Sequence, residues 1–216
     1  MDRISKLCAF LEPCSTFADV ACDHGYCAEY MLKNGLCKSA IISDISAKSL
    51  SKAENLLSGY IKRGKCSSVC CDGLKLIAES TEQILIAGIG GEEIVKILKN
   101  SFIPRSFVFQ PMKNAKALRA YLLGNGCAIT ADDIFTDGKN FYFVVKGTRS
   151  GKTENYSKAQ YAYGKDSLSN PVLKQYLSEE IAKKLSYLRR EMSGESRERL
   201  EEEVAFMQGV LKGEIN

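Results

Sequence analysis

Residues Thr16 to Leu32, TFADVACDHGYCAEYML, decide how the rest of the chain is read. A short apolar run, Phe17 to Cys22, breaks at Asp23-His24-Gly25. Helical spacing then resumes through Tyr26, Tyr30 and Met31. A buried strand, a tight turn and a helix are expected, the opening of a βαβ unit. In open α/β sheets the ligand sits at the carboxyl ends of the strands, where this turn falls.

Working outward, the same alternation repeats. On the amino-terminal side, Leu7, Cys8 and Leu11 predict a helix that Pro13 stops. Downstream, Gly35 ends the helix that follows Gly25. A second strand, Ser39–Ser43, ends on Asp44, and Ser46 caps a long amphipathic helix. A third strand, Cys66–Cys71, ends on Asp72-Gly73, and a fourth, Gln83–Ala87, runs into Gly88-Ile89-Gly90-Gly91. Glu92 and Glu93, followed by Lys96 and Lys99, suit the dipole of the next helix. The fifth strand, Ser106–Gln110, stops at Pro111, and Asn114 is expected to cap a helix carrying Leu118, Leu122 and Leu123.

The pattern then changes. Cys127–Phe135 and Phe141–Lys146 flank Asp137-Gly138, which reads as a hairpin. One of these strands must run antiparallel to the others, whereas a nicotinamide-binding sheet adds its sixth strand in parallel. The expected fold class is therefore α/β, a Rossmann-like sheet with a terminal antiparallel hairpin. From Thr148 the composition turns polar. Asn170-Pro171 opens a helix with Leu173, Leu177 and Ile181 on one face, and Ser193-Gly194 separates it from a second stripe at Leu200, Val204 and Met207. A C-terminal α-helical hairpin is expected, with residues 1–150 as the sheet domain and 151–216 as the helical one. Lys183, Lys184, Arg189 and Arg190 are interleaved with Glu179, Glu180 and Glu191, which reads as a solvated face.

Bulk properties narrow the classes. The chain has 216 residues, 45% hydrophobic and 26% charged, as globular proteins do. No apolar run approaches the ~20 residues needed to span a bilayer, and the amino terminus has no secretory leader pattern. Nine cysteines without paired C-x-x-C motifs read as buried thiols in a reducing cytoplasm. With one histidine, no metal is expected. A net charge of +4 permits a polyanionic partner without requiring one.

The chemistry follows from the first turn. A dinucleotide reader uses G-x-G-x-x-G, whose second glycine admits a pyrophosphate. Here those places hold Ala21, Asp23 and Gly25, and Asp23 would repel phosphate. A cofactor without phosphate and with a cationic centre fits better, and S-adenosylmethionine is one. The plain alternative is a turn that binds nothing, with Asp23 merely capping the helix. Asp44 lies about twenty residues on, where an acidic residue holds ribose hydroxyls in dinucleotide folds. Asp72 is placed for the adenine amino group, and Asp19 with the backbone near Gly25 for the methionine end. Ala21, His24, Ile45, Gly73, Ala87, Gly88, Ile89 and Gly90 complete the expected cofactor contacts. The glycines after the fourth strand would let a flat base approach the backbone. An Asn-Pro-Pro-Tyr element of amino-methylating enzymes is absent.

These segments together resemble one family, the bacterial tRNA (adenine-N1)-methyltransferases acting at position 22, the TrmK family. Asp19-Val20-Ala21-Cys22-Asp23-His24-Gly25-Tyr26 is similar to the family's D-I-G-x-D-H-A-Y. Ala87-Gly88-Ile89-Gly90-Gly91 is similar to A-G-M-G-G, and Phe109-Gln110-Pro111 to L-Q-P. Arg3 falls where the family has an arginine before its first helix. The chain departs at Ala21, a glycine in the family, and at Gly25, usually alanine.

The resemblance implies methyl transfer to adenine N1 in tRNA; a cytoplasmic location is expected, and the oligomeric state stays open between a monomer and a weak dimer. Asp23 and Gln110 are the candidate catalytic residues. Tyr26 and Gly91 are candidates to meet the base. Arg3, Lys113, Lys116, Arg119 and Lys139 are candidates to contact phosphates. The rival readings are a small-molecule methyltransferase and a non-catalytic RNA-binding protein with a decayed cofactor site.

Overall fold

The computed structural model describes residues 2–152 and 154–215. Seven strands form one sheet: β1 (Cys14–Val20), β2 (Cys37–Asp44), β3 (Cys66–Cys70), β4 (Gln83–Ala87), β5 (Ser106–Gln110), β6 (Cys127–Asp137) and β7 (Asn140–Arg149). Their order is β3-β2-β1-β4-β5-β7-β6. The first five pair in parallel, and β7 enters antiparallel between β5 and β6. The expected hairpin is present.

Side chains alternate across the strands. On β4, Leu85 joins Phe17, Met31, Ile42 and Leu57 on the face covered by α1 (Arg3–Cys8), α2 (Tyr26–Lys33) and α3 (Ala47–Lys62). Ile84 and Ile86 point the other way, to Phe107, Ile94 and Leu118 under α4 (Gly91–Lys99) and α5 (Ala115–Gly124). After α6 (Lys158–Tyr163), the hairpin of α7 (Pro171–Leu188) and α8 (Gly194–Lys212) buries Leu173, Leu177, Val204 and Met207 around Ile134 of β6.

Local signals act mostly as their chemistry dictates. The Ser46 hydroxyl accepts from the Ser49 N–H at 3.2 Å, and Asn170 Oδ1 accepts from the Val172 N–H at 2.9 Å, with Pro171 in the first turn. Three expectations need correction. Strand β1 runs from Cys14 to Val20 rather than from Phe17 to Cys22, because Ala21 turns to φ 58° and leaves the extended backbone. Helix α1 ends at Cys8 rather than near Leu11. Asn114 stands at the start of α5 at φ 55° and makes no side-chain cap.

Among the described residues, all nine cysteines are free and no cluster of three His, Cys, Asp or Glu side chains is arranged to hold a metal. No described helix is long and apolar enough to cross a membrane.

Candidate active site

A cavity of about 880 Å³ opens along the carboxyl ends of β1, β2 and β4. Its floor is the turn that leaves β1. Three residues in five are left-handed there: Ala21 at φ 58°, Asp23 at φ 45° and Gly25 at φ 73°. Gly25 is required twice over. Its φ favours glycine, and a Cβ would come within 2.9 Å of Ala53 Cβ on α3. Asp accepts this conformation at less cost than most side chains, but alanine sits there against a penalty of about 1 kcal/mol.

Asp44 holds this turn. Its Oδ2 accepts from the Asp23 N–H at 3.3 Å and its Oδ1 from the Ser46 N–H at 2.8 Å. A carboxylate offers about four lone-pair positions, so each oxygen keeps one for a hydroxyl donor. Ile45 follows, 70% exposed, an apolar side chain at the cavity wall.

Asp23 is half exposed and bonded on both oxygens, to Lys52 Nζ at 2.9 Å and to His24 Nδ1 at 2.7 Å. The Lys52 hydrogen bond, with help from His24, holds its carboxyl below the usual range. The His24 ring stacks on Tyr26, centroids 5.4 Å apart and planes 2° from parallel. Asp19 differs. It is buried and accepts from the Ala28 N–H at 3.2 Å. Burial pushes it up to about 7 against that hydrogen bond, and nearby Asp44 adds to the rise. It lines the cavity where no cation is paired with it among the described residues.

Residues 1–145 match the family model described as a methyltransferase domain. The chain belongs to that family.

Relatives extend the match. A Mycoplasma pneumoniae protein, provisionally named a tRNA methyltransferase, is 33% identical over 131 residues, 60% of this chain and 61% of its own. The chain thus spans about three-fifths of the curated relatives it matches. The M. capricolum TrmK structure with S-adenosyl-homocysteine superimposes at TM-score 0.88, 17% identity, over 97% of this chain and 96% of that one. Streptococcus pneumoniae Sp1610, provisionally described as a tRNA (m1A22) methyltransferase, was solved with S-adenosyl-L-methionine. It aligns at TM-score 0.86 and 24% identity, over 98% of this chain and 100% of that one. At these identities the likeness carries the fold.

Within the methyltransferase domain, the cavity gathers Arg3, Asp19, Ala21, Asp23, His24 and Tyr26. Asp44, Ile45, Asp72, Gly73, Ala87, Gly88 and Ile89 also line it. Asp72 is bonded to Lys75 Nζ at 2.7 Å, which lowers its carboxyl. Gly73, at φ 60°, abuts Ile97, and Gly88, at φ 84°, faces Arg3.

Other expected residues lie elsewhere. Arg119 cannot meet phosphate: it is fully buried, its Nε 2.8 Å from Asp132 Oδ1, with Nη1 on the carbonyls of Tyr161 and Ala162. Gln110 is also buried. Its Oε1 accepts from Arg3 Nη2 at 2.6 Å and its Nε2 donates to the Pro111 carbonyl at 3.1 Å. It stands behind Arg3 and offers the base no free group. Gly91 is a packing glycine, since a Cβ would meet the Asn114 carbonyl oxygen at 2.4 Å. Gly90 lies against Lys113, whose Cε would be 3.2 Å from an added Cβ. Lys113, Lys116 and Lys139 are exposed. Lys52, which braces Asp23, was not anticipated; on an amphipathic helix it reads only as a solvated charge.

Proposed function

We propose that this protein transfers a methyl group from S-adenosylmethionine to N1 of an unpaired adenine in tRNA, at position 22 as the family resemblance implies. The observation carrying the cofactor reading is the pairing of Asp44 with Ile45. A carboxylate with lone pairs to spare suits two ribose hydroxyls, and a bare apolar side chain beside it suits an adenine face. Asp72 and Gly73 border the same end. The cavity volume is ample for such a ligand with a base beside it. Bound there, S-adenosylmethionine supplies an electrophilic methyl on a sulfonium.

The chain's own residues then have to align and shield. Adenine N1 is a neutral nucleophile, so no base need remove a proton before attack. N1 lies on the Watson–Crick edge, so the adenine must be unpaired or turned out of its helix. The His24–Tyr26 stack at the cavity mouth offers it a flat surface. Asp23, fixed by Lys52, lies close enough to that stack to favour the positive charge that appears on the methylated base. Lys113, Lys116 and Lys139 are the phosphate contacts that remain after buried Arg119 and cavity-lining Arg3 are removed from the set. RNA affinity should therefore fall as salt rises. Residues 1–150 carry the chemistry, the stretch 154–169 packs on them through Tyr156 and Asp166, the helical hairpin that follows is the appended unit, and the work is done in the cytoplasm.

Nucleoside mass spectrometry on unmodified tRNA incubated with protein and methyl donor tests this. One-methyladenosine at position 22 is the expected product. Methylation of a small molecule with tRNA unmodified, or binding of tRNA without transfer, would overturn it. Asp23→Ala should lower turnover by a larger factor than it lowers cofactor affinity; equal losses reduce Asp23 to a residue of the cofactor pocket.

A further inference from the structure

A second recess, of about 420 Å³, lies between α1 and α2 and shares Ile4 and Tyr26 with the main cavity. Each helix lines it with a pair at i, i+4: Ile4 and Cys8 from α1, Tyr26 and Tyr30 from α2. Cys8 is buried and Ile4 half-buried, an apolar wall. The tyrosines opposite are 46% and 37% exposed, and the Tyr30 side chain has no hydrogen bond or ring pairing among the described residues. Glu29 and Lys33 border the same recess, and neither side chain has an ionic or hydrogen-bonded partner among the described residues. An open aromatic ring beside an idle carboxylate and an idle ammonium has the parts that hold a nucleotide. The ring takes the base face, the carboxylate its amino edge and the ammonium its phosphate.

Position decides which nucleotide. Tyr26 borders both recesses, and its ring is already stacked on His24. An adenine drawn into the cavity strips the stacking partner from one face of the base next to it in the strand. That bare face needs a new surface within one nucleotide's reach. Tyr30 supplies it, about 6 Å further along α2. The carboxylate of Glu29 accepts hydrogen bonds and donates none. It therefore favours a base with an exocyclic amine over uracil, whose single N3–H is flanked by two carbonyl oxygens. Lys33, exposed at the last turn of α2, is free to meet the backbone of the same nucleotide.

We propose that the recess between α1 and α2 is a second base subsite for the unpaired nucleotide adjoining the target adenine, with its base on Tyr30, its amino edge on Glu29 and its phosphate on Lys33. This rests on the tRNA-methylating reading of the cavity. It adds a means of choosing the target adenine by its neighbour, apart from the residues that meet the methyl donor.

Methylation kinetics on two kinds of tRNA test it: intact transcript, and transcript with a single abasic site on one or the other side of the target adenine. On intact tRNA, Tyr30→Ala should raise KM roughly tenfold, the size of one lost base–aromatic stack, and leave kcat within about twofold. Tyr30→Phe, which keeps the ring, should stay within about twofold of wild type. One of the two abasic sites should raise the wild-type KM by a similar factor. Tyr30→Ala on that abasic tRNA should cost no more than either change alone, because both remove the same contact. Glu29→Gln should weaken the preference for an amino-bearing neighbour over uridine. Calorimetric affinity for S-adenosyl-homocysteine should be unchanged in all three variants, which also shows that they are folded. An unaltered KM in Tyr30→Ala, losses that multiply on the abasic tRNA, or an equal loss of S-adenosyl-homocysteine affinity would each overturn the subsite. If wild-type protein methylates both abasic tRNAs as well as intact tRNA, the subsite alone is wrong. Wild-type protein that forms no one-methyladenosine would overturn the tRNA reading itself, and this inference with it.

Discussion

Asp19 and Asp132 are both strand carboxylates removed from water, 5% and 0% exposed. They differ in what surrounds them. Asp132 on β6 has both oxygens within 2.9 Å of Arg119 Nε, and its own N–H donates to Asp166 at 2.8 Å. Asp19 on β1 has one backbone N–H and otherwise faces the cavity. A buried charge whose partners come from its own chain belongs to the architecture. One left with a single hydrogen bond at the wall of a cavity has room for a partner from outside.

The largest effect that would sharpen this contrast is at Asp132. Asp132→Ala leaves the Arg119 guanidinium buried without its counter-ion, and should lower unfolding free energy by about 3–5 kcal/mol in urea titrations. It should leave binding of S-adenosyl-homocysteine to the still-folded fraction unchanged. A loss below about 1 kcal/mol would break the distinction from that side.

Asp19 should show itself through pH. Its carboxyl titrates near 7 in the fold against an ordinary 3.8. Between those values the folded state holds a proton that the unfolded chain has released. The stability from this group is full below about pH 4 and is lost as pH climbs through 7, at up to about 1.4 kcal/mol per pH unit. Asp19→Asn should flatten that slope in unfolding curves measured from pH 4.5 to 8. A bound ammonium should reverse the preference, so wild-type affinity for S-adenosyl-homocysteine should improve from pH 6 to 8. An unchanged slope in Asp19→Asn would place the group in water.

The smallest effect concerns the turn beside Asp19. Ala21→Gly relieves a left-handed alanine but gives the unfolded chain more freedom. The net gain should be up to about 1 kcal/mol, read as a higher urea midpoint at constant slope. A loss would mean that the Ala21 methyl packs usefully in the apo cavity.

What sequence made legible follows the same division. The strand ends at Asp44 and Ala87, the Ser46 cap and the terminal hairpin rest on local chemistry, so periodicity and turn residues were enough. Arg119 was misplaced because its helix position is judged by neighbours in sequence, while its partner comes from a strand. The available signal was Asp132 itself, a carboxylate at a buried phase of β6 that must be met by a cation. Gln110 and Gly91 were misread for a kindred reason. Each belongs to a recognisable motif, yet what each touches, Arg3 or the Asn114 carbonyl, is brought there by the tertiary fold. The inward turn of Arg3 depends on Asp137 and Tyr142, more than a hundred residues later.

Gly164 touches Asp132 so closely that a Cβ would lie 2.5 Å from its oxygens, and the carbonyls of Tyr161 and Ala162 close over Arg119. This seam makes the polar stretch after β7 a roof on the sheet domain. A protein shortened at Ser150 would open its most deeply sealed ion pair to solvent. A clean excision of the helical hairpin has to begin after that roof, near Asn170.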